Sequence, residues 1–307
     1  MKGASAVRAR FPLPAPLRRL LRAPAATLAA LVLLLVVAAA LLAPWLARTN
    51  PYDLASLDLL ESHLPPALMA GGDPRFLLGT DSQGADLLSL ILYGLRTSLI
   101  VGLMAVAISV ALGTVAGLSS GYAGGALDSV LMRIADVQFT FPALLLALLI
   151  GGISQSLLPA DRRAALAMPI VVLALGISHW PHFARLVRGA ALVERQKDYV
   201  AAARLGGRGH VAIMVGQILP NVLNPILVLA TLDIAFAIMA EATLSFIGFG
   251  VPPTEPSLGT LIRIGYGYLF SGEWWVVIFP ALTLSGMLVA VNVFGDWLRD
   301  QLDPRLR

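Results

Sequence analysis

A chain of 307 residues in which 58% are hydrophobic and only 13% charged, with a mean hydropathy of +0.81, cannot clothe a soluble core, because soluble domains carry about a quarter charged residues. Much of its surface must face lipid. The net charge is +4 and there are no cysteines, which excludes disulfides, thiolate nucleophiles and Cys-based metal sites, and the arginines lie between apolar runs rather than on a soluble basic module, which argues against a nucleic-acid partner.

Residues 1–24 form a basic N-terminal segment with Lys2, Arg8, Arg10, Arg18, Arg19 and Arg22. The run 25–46 holds no charge over 22 residues, and at about 1.5 Å per residue it crosses a hydrocarbon core of about 30 Å. A secretory signal has an apolar region of only about 7–15 residues. The run therefore reads as an uncleaved first anchor with its N-terminus inside. Residues 47–96, rich in Pro, Gly and Asp, read as an outer loop with short helices, too short for a core of its own.

Further apolar runs lie at 97–118, about 130–152, about 164–186, 222–240 and 276–295. The expected fold is all-α, an integral membrane protein of six transmembrane helices, with 97–307 as its main body. Arg133 and Asp136 near the start of the third run, and His179, Pro181 and His182 near the end of the fourth, blur those two limits. A second outer stretch, 241–275, contains Gly248, Gly250, Pro252, Pro253 and Pro256. With the N-terminus inside, the inner segments hold 16 of the 22 Lys and Arg and the outer ones 6, so the positive-inside rule selects this orientation, with both termini cytoplasmic. Trp45, Trp274, Trp275 and Trp297 fall at span ends, as an interfacial aromatic belt requires.

The inner segment 185–221 carries the most information. Its Ala-rich stretch Asp198-Tyr199-Val200-Ala201-Ala202-Ala203-Arg204 favours helix, with Asp198 as a candidate cap. Gly206 and Gly207 end that helix. A second apolar stretch closes on Ile218-Leu219-Pro220.

Asp198 to Arg204, then Gly207, then Ile218-Leu219-Pro220 after ten intervening residues, resembles the EAA loop of ABC importer permeases. The resemblance implies that a coupling loop at 189–220, with Tyr199 to Gly207 as its helix, docks into the ATPase subunit. Ala201 stands where that motif usually has Glu, which bears on any salt bridge there. Gly79-Thr-Asp-Ser-Gln-Gly-Ala-Asp with Leu92-Tyr-Gly-Leu-Arg-Thr-Ser-Leu, and Glu241-Ala-Thr-Leu-Ser-Phe-Ile-Gly-Phe-Gly with the ending from Gly295, resemble the C-type subunit of the dipeptide/oligopeptide/nickel subfamily, although Ala85 replaces a usual Arg. The resemblance implies a homologous B-type permease, two cytoplasmic ATPase subunits that use ATP and Mg, and an extracytoplasmic solute-binding protein as partners. It implies no cofactor on this chain and no catalytic residue. The substrates it implies are peptides or related small solutes, including nickel chelates, moved by alternating access.

A P-loop is missing: the only lysines, Lys2 and Lys197, follow Met and Gln, so no Gly-x-x-x-x-Gly-Lys motif exists to hold nucleotide phosphates. Gly113, Gly117 and Gly121 recur every four residues and line one helix face, a packing surface for a neighbour in this chain or in a partner. His179 and His182 lie three apart, too few ligands for a metal site. Asp233 sits mid-span, where a carboxylate costs about 2.5–3.5 kcal/mol. It is either a hydrogen-bonded packing group or part of the transport pathway, and Glu241 is a second pathway candidate. The rival reading is an ion-coupled secondary transporter with Asp233 as the coupling carboxylate, although the internal repeats of such proteins are not evident. An intramembrane enzyme would need convergent polar groups, and Asp233 is the one that sequence places clearly inside.

Overall fold

The computed structural model describes residues 19–53, 57–252 and 254–302; Lys2, Arg8, Arg10, Arg18, Pro253, Arg305 and Arg307 of the orientation and outer-loop arguments lie outside the described residues. The elements in order are α1 (Pro24–Leu46), α2 (Leu87–Ala123), α3 (Gly125–Phe139), α4 (Ala143–Leu157), α5 (Ala160–Glu194), α6 (Asp198–Leu205), α7 (His210–Ile213), a π-helical turn (Met214–Ile218), α8 (Leu219–Ile247), α9 (Leu258–Tyr268) and α10 (Trp275–Leu302). Short 3₁₀ turns lie at Leu59–Glu61 and Leu269–Ser271. Strand-like pairing among the described residues is confined to one bridge, Thr80 to Asp86.

Pro24 opens α1, where a missing N–H costs nothing. The helix turns Leu28, Leu34 and Leu41 outward, each more than 60% exposed at 63%, 66% and 67%, as lipid-facing side chains are. Its buried residues are the small Ala26, Ala29, Ala40 and Ala43, which let it lie close against α2 and α10. Asp86 caps α2 by accepting from the Ser89 amide at 2.9 Å. The helix then runs 37 residues, about 55 Å at ~1.5 Å per residue, so it extends past the hydrocarbon toward α6.

Among the described residues five helices are long and apolar enough to cross a membrane, within α1, α2, α5, α7 to α8, and α10. The expected continuous third span at about 130–152 is instead the pair α3 and α4, bent by 88° at the break between them. The cause is local. Pro142 lacks the N–H that would continue α3, and it pushes Phe141 out of helical backbone. Counted as one broken span, the pair completes a set of six.

The Gly113, Gly117 and Gly121 face packs on α5 of this same chain. A Cβ added at those positions would meet Phe183 Cβ at 2.4 Å, Ala184 O at 2.6 Å and Ala191 Cβ at 2.7 Å. Because all three obstacles are backbone or Cβ atoms that cannot swing away, Gly117→Val should cost about 1–3 kcal/mol or more by overpacking. The expected result is a lower melting temperature of the detergent-extracted protein. Gly189→Ala, where nothing lies within 4 Å of the new Cβ, should leave it unchanged, and equal melting of the two variants would refute this packing.

The outer stretch before α2 is held by side chains rather than by a core. The Asp81 carboxylate accepts from the Gln83 and Ala85 amides at 2.8 and 2.9 Å, and burial pushes it above the usual carboxylate range. Thr80 Oγ1 accepts from the Leu64 amide at 2.9 Å and donates to Glu61 O at 2.6 Å. His63, with a φ of +61°, meets Glu273 at 2.5 Å, tying the stretch to the turn before α10.

Candidate functional site

The segment between α5 and α8 is built onto the bundle by a few buried side chains. Val200 of α6, Ile213 of α7 and Ile218 are fully buried against Val187 and Ala191 of α5, Val222 of α8, and Leu118 and Tyr122 of α2. Polar contacts fix the same joint. Tyr199 donates from its hydroxyl to Glu194, Asn221 Nδ2 donates to Tyr199 Oη at 3.2 Å, and Lys197 pairs with Glu194 at 2.6 Å. Burial, followed by the Glu194 carboxylate, pushes the Tyr199 phenol up to about 12, so it stays a proton donor at neutral pH. Tyr122 Oη and His210 Nδ1 lie 3.0 Å apart, and Arg204 sits 4.9 Å over the Tyr122 ring.

The opposite face is left open. Asp198, Ala201, Ala202 and Arg204 are exposed, as are the apolar Leu205 at 91%, Val211 at 68% and Val215 at 55%. The segment thus presents small and apolar side chains outward on a base anchored to three long helices. Asp198 is not the cap expected for it. Lys197 occupies that position without a side-chain cap bond, and Asp198 begins the first turn, where its charge still suits the helix dipole. The C-terminal end is as expected: Gly207 has a φ of +73°, and the Arg208 and Gly207 amides donate to Ala203 O at 3.1 Å and Arg204 O at 3.0 Å, the Schellman pattern. Leu219 and Pro220 then open α8.

Two buried carboxylates lie deeper, one more than sequence places inside. Asp233 of α8 accepts from His179 Nδ1 of α5 at 2.8 Å, and the His179 ring stacks on His182 at 5.1 Å and meets Phe236 at 4.4 Å. His179 is therefore the partner of Asp233, with His182 stacked on it. This cluster lines a cavity of about 450 Å³ at the α3–α4 break, beside Phe139, Phe141 and Leu232.

Glu241 is fully buried. Its Oε2 accepts from Ser98 Oγ at 2.8 Å and its Oε1 from Ser245 Oγ at 2.7 Å. Those hydroxyls in turn accept from the Leu258 amide at 3.4 Å and the Val251 amide at 3.1 Å. The carboxylate thereby joins α2, α8 and the start of α9, and it does not line the cavity at the α3–α4 break. Sequence reasoning missed the roles of Ser98 and Ser245; the i to i+4 spacing of Glu241 and Ser245 on a helix was the one available signal. No cluster of three or more metal-binding side chains occurs among the described residues.

Comparison with known proteins agrees with this architecture. The chain is 40% identical over 278 residues to the dipeptide transport system permease protein DppC of Haemophilus influenzae, covering 90% of each. It is also 40% identical over 277 residues to the di/tripeptide transport system permease protein DppC of Pseudomonas aeruginosa, covering 90% of this chain and 87% of that one. Among solved structures, a chain of the MetNI methionine ABC transporter in inward-facing form has a TM-score of 0.52 at 20% identity, over 71% of this chain and 96% of that one; it shares the fold. Residues 16–66 match the N-terminal TM domain of oligopeptide transport permease C, and residues 113–307 match the binding-protein-dependent transport system inner membrane component. The chain belongs to the family of binding-protein-dependent transport system inner membrane components, the permeases of ABC importers.

Proposed function

We propose that this chain is one of two permease subunits of an ATP-driven importer of di- or oligopeptides. The observation that carries the reading is the segment from α6 to the π-helical turn, anchored to α2, α5 and α8 through Val200, Ile213 and Ile218 while Ala201, Ala202 and Leu205 of α6 remain exposed for a partner. A segment so mounted transmits a push on its outer face into three spans at once. The partners are a homologous B-type permease, two ATPase subunits that bind ATP and Mg, and an extracytoplasmic solute-binding protein. Peptide released by the binding protein would pass between the permeases by alternating access. The peptide substrate follows the dipeptide and di/tripeptide permeases at 40% identity; nickel chelates have no comparable support.

Assembly of the five subunits in proteoliposomes tests this directly. ATP-dependent uptake of a labelled dipeptide is expected, and it should stop when the ATPase subunits are omitted. Uptake driven by an ion gradient without them would replace this reading with a secondary transporter.

Orientation is tested separately. A reporter fused after Gly207 should read cytoplasmic and one fused after Pro252 external, following the 16-to-6 division of basic residues. The reverse pattern would place α6 on the wrong side for an ATPase.

A further inference from the structure

The cavity at the α3–α4 break holds groups that the coupling segment does not use. Its volume of about 450 Å³ falls within the range of about 300–1,000 Å³ typical of small-molecule sites, which are mostly apolar with a few placed polar groups. Two of its polar side chains are engaged elsewhere: Ser178 donates to Ala174 O at 2.6 Å, and Gln138 accepts from Trp180 Nε1 at 2.8 Å and donates to Ile177 O. Asp233, His179 and His182 remain, the first two 9% and 8% exposed. His179 Nε2 is buried and has no hydrogen-bond partner among the described residues, an exception to the rule that buried polar atoms are paired.

The charges decide what kind of ligand fits. Arg185, on the same helix as His182, is paired with Asp136 at 2.5 Å and lies 4.0 Å over the ring of the lining Phe139, so its charge is already matched. Among the described residues the hydrogen-bond partner of Asp233 is the imidazole of His179, with His182 stacked behind it. A carboxylate on Nδ1 fixes the proton there in the neutral ring, which leaves Nε2 as an acceptor. A carboxylate and an unpartnered ring nitrogen, flanked by the rings of Phe139 and Phe236, suit a cation that donates hydrogen bonds. A bare metal ion would need more oxygen or nitrogen ligands than the cavity supplies.

We propose that this cavity is a transit subsite for the ammonium group of a peptide, with Asp233 as counter-ion and His179 as the positioning residue that orients the carboxylate. The inference rests on the peptide-importer reading above and extends it to a place inside the membrane, apart from any recognition by the solute-binding protein.

The test uses the complete permease–ATPase complex in nanodiscs without binding protein, with alanyl-alanine and N-acetyl-alanyl-alanine as probes. Saturable binding of the free dipeptide is expected, with the acetylated one weaker by about tenfold or more, the loss of one charge-assisted contact. Asp233→Asn keeps an acceptor for His179 and removes the charge. It should weaken the free dipeptide by a similar factor and leave the acetylated one unchanged. His179→Gln should give a smaller loss in the same direction, and if Asp233→Asn fails to assemble, this variant and the wild-type comparison decide. Equal affinities for the two probes, absent binding, or an unaffected Asp233→Asn variant would overturn the subsite. ATP-driven uptake of alanyl-alanine with binding protein present is measured in parallel: its loss in the wild type would overturn the importer reading itself, whereas its persistence beside equal probe affinities would remove only the subsite.

Discussion

Gly207→Val should give a membrane-inserted protein in which ATP hydrolysis is no longer coupled to transport. Gly207 has a φ of +73° with open space around its Cβ position, so the replacement does not clash; it strains the backbone. A β-branched residue in that region costs about 1–3 kcal/mol, which shifts the population of the correct turn roughly 5–150-fold. The Schellman bonds from Arg208 and Gly207 to Ala203 and Arg204 would be lost with it, and the exposed face of α6 would be misdirected. Insertion depends on the hydropathy of the long helices and should survive. The measurement is pull-down of the ATPase and substrate-stimulated ATP turnover in reconstituted complexes. Ala201→Glu is the internal contrast: the position is exposed and in mid-helix, so the longer side chain meets no obstacle and turnover should be retained. Wild-type coupling in Gly207→Val would mean that α6 is not the transmission element.

The six apolar segments were legible because lipid contact leaves leucines outside: hydropathy reads that directly, and α1 with its exposed Leu28, Leu34 and Leu41 is the plainest case. Hydropathy does not see backbone, so the 88° bend was invisible in an apolar run even though Pro142 stood in its middle. The end of α6 was readable because a glycine after an Ala-rich stretch has one common use. Its start was misplaced by one residue, since Asp198 suits both a cap and a first turn. What lay beyond reach was pairing between distant positions. His179 and Asp233 are 54 residues apart and Ser98 and Glu241 143; a single sequence carries no signal that joins them. The glycine face of α2 shows the same limit, because small residues every four positions state that something packs closely but not what.

Glu241→Leu should be the most strongly destabilised of the variants considered, and the reason separates it from the Asp233 variants. Leucine fills a similar volume, so the loss is not mainly a cavity. It leaves the Ser98 and Ser245 hydroxyls without their acceptor in a fully buried place, and each orphaned donor costs about 1–3 kcal/mol. Those hydroxyls also hold the Leu258 and Val251 amides. Their reorientation would therefore loosen the start of α9 and the turn after α8, whereas a rotating Asp233 partner would disturb only the α5–α8 contact. The expected total, several kcal/mol, is a large share of the stability of an ordinary protein, about 5–15 kcal/mol. Glu241→Gln keeps one acceptor oxygen for one serine and offers an amide in place of the other, so it should cost only part of that. The measurement is the melting temperature of each variant in detergent together with its level in the membrane. The expected order of stability is wild type, then Gln, then Leu. A Leu variant that melts with the wild type would show that the carboxylate is dispensable for joining α2 to α8 and α9, and that Ser98 and Ser245 can satisfy their hydroxyls within their own helices.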